Sequence, residues 1–310
     1  MAVPSQGTPN GEQFLRLVYT HHDHDYVERR GGPLLYTHMR GAGGRGRYRR
    51  VALERADAMY ATALAEESAS MRVGGLGLLL LQRAMLAAED LGGLLQALLG
   101  KPPSFERLAS VSYGELDKVF LDVRDRPARI LKPFILPTRE VLEDEDMTAA
   151  EVEAALRLVA LTRSRWLQML QRVAELWLDQ RVVAKATMHG MPLVAGELVL
   201  GPPPAGVLAE TVRDPRTRPF AVAVLSRVQN ERREVITDRH VVQLDHRSVA
   251  RHLRAGKAAV RLAEELSQTQ ANSIELGYGY GLPKHSFSLL SSQERALLDE
   301  AMKRQQAAEE

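Results

Sequence analysis

The sequence predicts a mainly α-helical fold, a helical bundle with a small β meander insertion and C-terminal helices. Over residues 50–99 and 148–189, apolar side chains recur at spacings of three and four, which is the period of a helix that buries one face. Beyond the second stretch, a run of prolines over 202–204 and several β-branched segments interrupt this period and indicate strands.

The first helical stretch is expected to divide in two. Gly74, Gly75 and Gly77 stand in its middle, and glycine disfavours a helix because it loses the most conformational freedom on ordering. The part over 76–99 is apolar on nearly all sides, so we expect a central helix that packs against several neighbours. Gly100, which two prolines follow closely, ends it.

Thr148 marks the start of the longest predicted helix. Threonine followed three residues later by Glu151 is a capping box, in which each side chain accepts a hydrogen bond from the backbone amide of the other residue. Helical spacing then continues to about His189, over about forty residues. The preceding segment, 105–140, contains three prolines and is expected to form short helices and loops.

The order of these elements predicts four regions. They are an N-terminal arm and loop over 1–49, a helical bundle core over 50–190, a small β-rich insertion over 191–246, and C-terminal helices over 247–310 that pack on the bundle. Strand candidates in the insertion lie at 193–200, 220–225, 234–237 and 241–244, and the C-terminal helices at 247–269 and 292–306.

The composition and the start of the chain exclude several classes of function. The chain has 310 residues and no cysteine, which excludes disulfides, Cys-ligated zinc, iron–sulfur clusters and thiol nucleophiles. It contains no Walker lysine loop, nucleophile elbow or dinucleotide fingerprint, so we expect no cofactor. The polar start lacks the features of a secretory signal, and the longest apolar run, the nine residues 73–81, is too short to cross a bilayer. We therefore expect a cytoplasmic protein with no membrane partner.

Basic residues cluster in two parts of a chain whose net charge is only +2. Residues 211–262 hold twelve Lys and Arg against five Asp and Glu, a local excess of seven positive charges. The other cluster lies in and after a glycine-rich loop, and it supplies candidate nucleic-acid ligands because positive patches attract phosphate backbones. These candidates are Arg45, Arg47, Arg49 and Arg50. A solvated arginine-rich surface is the alternative interpretation.

Arg181, Lys185 and His189 form the leading candidate site. At spacings of four, they project from one edge of the long helix near its C-terminal end. A histidine there can act as an acid or base near neutral pH, and the two cations can hold a phosphate. In the alternative interpretation, the three side chains cap carbonyls and interact with the negative end of the helix dipole.

Two adjacent carboxylates, Glu89 and Asp90, interrupt the apolar central helix. Because an unpaired buried carboxylate costs several kcal/mol, we expect at least one of them to be paired, with an arginine of the long helix as the partner. The alternative is a catalytic carboxylate, for which Glu89 is the candidate.

A run of histidines and aspartates near the N-terminus contains metal-ligand residue types, namely His21, His22, Asp23, His24 and Asp25. Neighbours in sequence do not easily converge on one ion, and no further ligand stands at a recognisable distance. We interpret the run as a polar loop and assign no metal ligand, with metal binding as the alternative.

Two stretches resemble segments of HEPN-like helical proteins of the abortive-infection type. Residues 86–93 (LAAEDLGG) are similar to a helix with the pattern EE-L-G-K, and residues 184–190 (AKATMHG) are similar to a helix that ends in K-H-G. Gly93 stands where the pattern has lysine, and Met188 precedes the histidine. The resemblance implies a helical bundle, frequent dimers and, in active members, metal-independent cleavage of RNA.

The resemblance also suggests a secondary candidate site. In that family four to six residues separate the catalytic arginine from the histidine, whereas seven residues separate Arg181 from His189. Arg247 and His252 have the family's spacing and fall on a predicted helix, so they are the secondary candidates.

Together these features predict an RNA-binding or RNA-cleaving component of a bacterial defence or toxin system, which would be a metal-independent ribonuclease if it is an enzyme. The alternative is a non-enzymatic oligomeric scaffold or protein-interaction module whose helices bury a symmetric partner surface. RNA and a second copy of the chain are therefore the expected partners.

Overall fold

A computed structural model describes residues 45–66, 70–99, 112–132, 134, 136–143, 147–188, 193–197, 220–229, 235–275 and 284–309. Over these ranges the protein is mainly α-helical, which confirms the predicted class. The helices are α1 (Arg45–Ala65), α2 (Ser70–Leu99), α3 (Tyr113–Asp125), α4 (Pro127–Ile130), α5 (Arg139–Glu143), α6 (Ala149–Met188), α7 (His246–Glu275) and α8 (Ser292–Glu309), with a 3₁₀ helix at Lys284–Leu289. Within the described ranges, no helix is both long and apolar enough to span a membrane.

Three strands lie between α6 and α7 in the chain. They are β1 (Leu193–Glu197), β2 (Phe220–Gln229) and β3 (Val235–Leu244), and they pair antiparallel in the order β1-β2-β3. In the register, Leu193 is opposite Val224 and Phe220 is opposite Leu244. Asp245 follows β3 directly and accepts a hydrogen bond from the backbone amide of Ser248 at 2.6 Å, so the sheet leads into the first turn of α7.

The main hydrophobic core lies between α1, α2, α3, α6 and α7. Its largest fully buried side chains include Trp166, Trp177 and Phe120. A smaller core joins the N-terminal half of α6 to α5 and α8 through residues such as Leu158 and Leu298. The bundle is therefore organised around α6, which contributes to both cores.

The start of α6 confirms the predicted capping box. The backbone amide of Thr148 donates to Glu151 Oε2 at 2.8 Å, and the amide of Glu151 donates to Thr148 Oγ1 at 3.4 Å. Glu151 is also buried against α8, where Arg304 Nη2 lies 2.7 Å from each of its carboxylate oxygens. The hydrogen bond from Arg304 holds the pKa of Glu151 below its usual value. One carboxylate thus caps α6 and anchors the C-terminal helix.

The predicted division of the first helical stretch lies at a different place. α1 ends at Ala65 and α2 begins at Ser70, so Gly74, Gly75 and Gly77 lie inside α2 and do not break it. Gly74 and Gly77 are buried. Each helical glycine costs about 1 kcal/mol relative to alanine, and burial of the surrounding apolar surface offsets that cost.

Two other glycines allow the helices to approach closely. A Cβ atom at Gly92 of α2 would lie 2.7 Å from Leu116 Cδ2 and 2.9 Å from Phe120 Cε2 on α3. A Cβ atom at Gly256 of α7 would lie 2.8 Å from both Cα and Cβ of Ala84 on α2. The second contact involves backbone, so a larger residue there must move a helix axis.

Gly256→Ala should therefore lower the free energy of unfolding by about 1–3 kcal/mol through overpacking. Gly75→Ala is the matched control, because that glycine is exposed on α2 and no atom lies within 4 Å of a Cβ built on it. The control should raise stability by about 0.5–1 kcal/mol, since alanine is the better helix former. Urea denaturation of both variants measures the difference, and a neutral or stabilising Gly256→Ala would contradict the close α2–α7 contact.

Candidate functional site

A cluster of polar and aromatic side chains lies where α2, α3 and α6 pack together. α2 contributes Glu89, α3 contributes Tyr113 and Asp117, and α6 contributes Trp177 and Arg181; we call these five residues the three-helix cluster. Within α3 and within α6, the two contributing residues are four apart, so each helix presents its pair on one face.

Trp177 is the fixed centre of the three-helix cluster. It is fully buried, and its ring stacks on Tyr113 with centroids 5.7 Å apart and on Phe120 with centroids 5.2 Å apart. Its indole Nε1 donates a hydrogen bond to Asp117 Oδ1 at 2.8 Å. A buried indole N–H requires an acceptor, so this bond fixes the carboxylate on the ring.

Arg181 meets the other oxygen of the same carboxylate. Its Nη1 donates to Asp117 Oδ2 at 3.0 Å, and its side chain is 50% exposed while that of Asp117 is 29% exposed. An ion pair this accessible adds little stability, because water screens it. Its consequence is geometric: Asp117 connects a buried tryptophan to a guanidinium at the surface.

Glu89 joins the three-helix cluster through Tyr113. Burial is the main cause that raises the pKa of Tyr113 to about 12, and the nearby charge of Glu89 raises it further. Tyr113 therefore keeps its phenolic proton throughout the neutral range. Glu89 itself is half-buried on α2.

Two of the residues that the sequence singles out thus lie near different members of one cluster: the charge of Glu89 acts on Tyr113, and Arg181 binds Asp117. Tyr113, Asp117 and Trp177 connect them, and sequence reasoning did not identify this connection. The signal that was present is local: a tyrosine and an aspartate four apart on a short helix share one face. Nothing in that spacing shows that the face meets Trp177, which lies 60 residues from Asp117.

The remaining residues of the leading candidate site lie at the end of α6. Lys185 belongs to the final helical turns, one turn beyond Arg181, while His189 lies outside the described residues. The run over 21–25 also lies outside them. In the part of the chain that the structure describes, no three His, Asp or Glu side chains form a group that could hold a metal ion.

Four arginines and three carboxylates form a second polar group in the middle of the bundle, which we call the charged layer. It consists of Asp90 on α2, Glu264 and Glu265 on α7, Arg49 and Arg50 on α1, Arg165 on α6 and Arg261 on α7. The three carboxylate side chains are only 2–5% exposed. Buried charges of this kind must be paired and hydrogen-bonded.

Asp90 is one of the two adjacent carboxylates of α2, at least one of which is expected to be paired. Arg49 Nε lies 2.7 Å from Asp90 Oδ2, and Arg49 Nη2 lies 3.4 Å from Oδ1. The prediction that at least one of the two adjacent carboxylates is paired is confirmed. The arginine that pairs with Asp90 belongs to α1, whereas the expectation named an arginine of the long helix.

Glu265 of the charged layer binds donors on both α6 and α7. Its Oε1 accepts from Arg261 Nε at 2.8 Å and also from Arg165, and its Oε2 accepts from Trp166 Nε1 at 2.7 Å. Arg50 of α1 contacts the neighbouring Glu264. The charged layer therefore links α1 and α6 to α7 through adjacent residues.

The candidate nucleic-acid ligands Arg49 and Arg50 on α1 differ in exposure. Arg45 and Arg47 lie in the first turns of α1. The side chain of Arg49 is 13% exposed and that of Arg50 is 46% exposed, and both bind carboxylates of the charged layer. Of the two, Arg50 thus retains the larger accessible surface.

The secondary candidates Arg247 and His252 both lie on α7, but they do not face one another. Five residues along a helix correspond to a rotation of about 140°, which places the two side chains on different sides. Arg247 is exposed, whereas His252 is buried and its Nδ1 has no hydrogen-bond partner in the described structure. Burial lowers the pKa of His252 to about 4, so it is neutral at neutral pH.

Asp90→Asn should lower the free energy of unfolding by about 3 kcal/mol, because the buried Arg49 loses its Asp90 counter-charge. Asp57→Asn is the control: it removes the carboxylate from another pair between helices, in which Lys257 Nζ lies 3.1 Å from Asp57 Oδ2 and both side chains are more than a third exposed. Its cost should stay below about 1 kcal/mol. Equal costs in chemical denaturation would show that the charged layer does not constrain the bundle.

His252 should make stability depend on pH. Its folded pKa of about 4 lies below its ordinary value of 6.5, so the unfolded chain binds the proton more readily and stability declines as the pH falls from 6.5 towards 4. The full contribution is about 3 kcal/mol. The unfolding free energies of wild type and His252→Leu, compared between pH 7 and pH 4, isolate it because all other groups are shared. A difference that does not change with pH would contradict a buried neutral histidine.

The chain was also compared with known proteins. No family model, no curated protein and no solved structure matches it.

Proposed function

We propose that the chain is a HEPN-like RNA-binding or RNA-cleaving component of a bacterial defence or toxin system. Its site would be the C-terminal edge of α6, with Arg181, Lys185 and His189, next to the three-helix cluster. The observation that carries the proposal is the guanidinium of Arg181, which Asp117 holds at the surface of a bundle junction.

The chemistry of a guanidinium supports a phosphate ligand. Arginine offers five N–H donors in a planar fork that matches phosphate oxygens, and the hydrogen bond to Asp117 uses only Nη1 of Arg181. Half of the side chain is accessible. Lys185, one turn further along α6, would add a second positive charge on the same edge.

In the cleaving form of the proposal, the residues have separate roles. His189 would accept the proton of a ribose 2′-hydroxyl while Arg181 and Lys185 bind the adjacent phosphate and stabilise its growing negative charge. The 2′-oxygen would then form a bond to phosphorus as the bond to the 5′-oxygen breaks, and the leaving 5′-oxygen would take up a proton from the solvent, which gives a 2′,3′-cyclic phosphate and a 5′-hydroxyl. Glu89 would belong to this site because its charge acts on Tyr113, on the α2 side of the three-helix cluster.

Arg181→Ala should weaken binding of single-stranded RNA about tenfold and reduce the salt dependence of binding by about one charge, because it removes a phosphate contact. Arg163→Ala is the matched control, since Arg163 is exposed on the same helix and lies about 27 Å away at 1.5 Å per residue. Fluorescence anisotropy at two salt concentrations measures both variants. Any cleavage should persist in EDTA and disappear in His189→Ala.

Two outcomes would contradict the proposal. One is equal weakening by Arg181→Ala and Arg163→Ala, which would indicate unspecific electrostatic attraction. The other is a wild-type protein that does not bind RNA; if light scattering then shows an obligate oligomer, the alternative of a non-enzymatic scaffold replaces the RNA hypothesis.

A further inference from the structure

The carboxylate of Asp117 has two different partners, one in the core and one at the surface. We propose that Asp117 is a positioning residue, which orients the guanidinium of Arg181 for a phosphate of RNA. This inference rests on the proposed function, because it requires that Arg181 binds the phosphate. It adds a specific role for Asp117 and for the indole N–H of Trp177.

Trp177 is a rigid anchor for the carboxylate of Asp117. It is fully buried and stacks on the rings of Tyr113 and Phe120, so its Nε1–H has a fixed direction. The hydrogen bond of 2.8 Å to Asp117 Oδ1 therefore orients the carboxylate. The hydrogen bond of 3.0 Å from Arg181 Nη1 to Oδ2 in turn orients the guanidinium. A ligand that meets an ordered side chain does not have to order it on binding, which favours affinity.

The other aspartates of α3 that bind arginine lie in exposed pairs. Asp122 accepts from Arg126 at 2.9 Å, and both side chains of that pair are more than 40% exposed. Asp125 and its neighbour Arg124 are each 56% exposed. Within the described residues, neither of these pairs contacts a buried aromatic donor, whereas Asp117 accepts a hydrogen bond from Trp177 Nε1.

The negative charge of Asp117 distinguishes an orienting role from a merely neutralising one. A carboxylate next to an arginine lowers the local positive potential and by itself weakens attraction to phosphate. If Asp117 only neutralises Arg181, then removing its charge must strengthen RNA binding. If Asp117 orients Arg181, then removing its charge weakens RNA binding although the site becomes more positive. The two interpretations therefore predict opposite changes.

The experiment compares Asp117→Asn with Asp122→Asn, which removes the same charge from the same helix at the exposed pair. Trp177→Phe is the second variant, because it keeps the aromatic packing, removes the N–H donor and leaves the charge unchanged. The probe is a fluorescein-labelled single-stranded RNA of mixed sequence, and its dissociation constant is measured at two potassium chloride concentrations. Each protein is measured well below its own melting temperature, so a loss of stability alone does not alter the result.

We expect Asp117→Asn and Trp177→Phe each to raise the dissociation constant about fivefold. Asp122→Asn should bind as tightly as wild type or more tightly. If one of the two test variants does not fold, the other decides, since each breaks a different bond of the same connection.

The failures of the two proposals are distinguishable. If Arg181→Ala weakens binding but Asp117→Asn or Trp177→Phe does not, the positioning role is overturned while the RNA site stands. If wild type does not bind RNA, or Arg181→Ala has no effect, the proposed function is overturned and this inference with it.

Discussion

The pairing of buried carboxylates constrains how the helices of this bundle pack. Asp90, Glu264 and Glu265 have lost nearly all contact with water, and a charge in that position is tolerated only beside a counter-charge. Arg49 and Arg50 supply it from α1. A slip of α1 by one turn would move these arginines about 5.4 Å along the axis and separate the pairs. The charged layer thus sets the register of the helices, even where its net stabilisation is small.

The same arrangement, an indole that donates to a carboxylate which also binds arginine, occurs twice along α6, once buried and once near the surface. Trp166 and Trp177 lie eleven residues apart, which is close to three full turns, and the indole of each donates to a carboxylate that also binds arginine. Around Glu265 the arrangement is buried: the carboxylate is 2% exposed and Arg165 is 19% exposed. Around Asp117 the arginine is half exposed. The buried copy holds helices together, and the accessible copy has the surface that a ligand needs.

Some candidate residues follow from spacing along one helix, and others depend on contacts between helices. The spacing of Arg181 and Lys185 on one edge of α6 follows from helical geometry, and a sequence carries that information directly. Helical spacing does not show which of Glu89 and Asp90 faces the core. Adjacent side chains on a helix point only about 100° apart, so either could face inward. Contact with Arg49 from another helix selects Asp90 for the charged layer. His252 has the expected spacing from Arg247, yet its burial removes it from any surface site.

The sequence by itself determined the features that depend on neighbours along the chain: the helical class and the Thr148 capping box. Only the tertiary structure decided which segments meet. The glycines of α2 remain helical because packing offsets their local cost, and Asp117 reaches Trp177 because α3 lies against α6. Periodicity describes the face that a helix presents. The partner of that face depends on contacts between residues far apart in the chain, which local spacing does not encode.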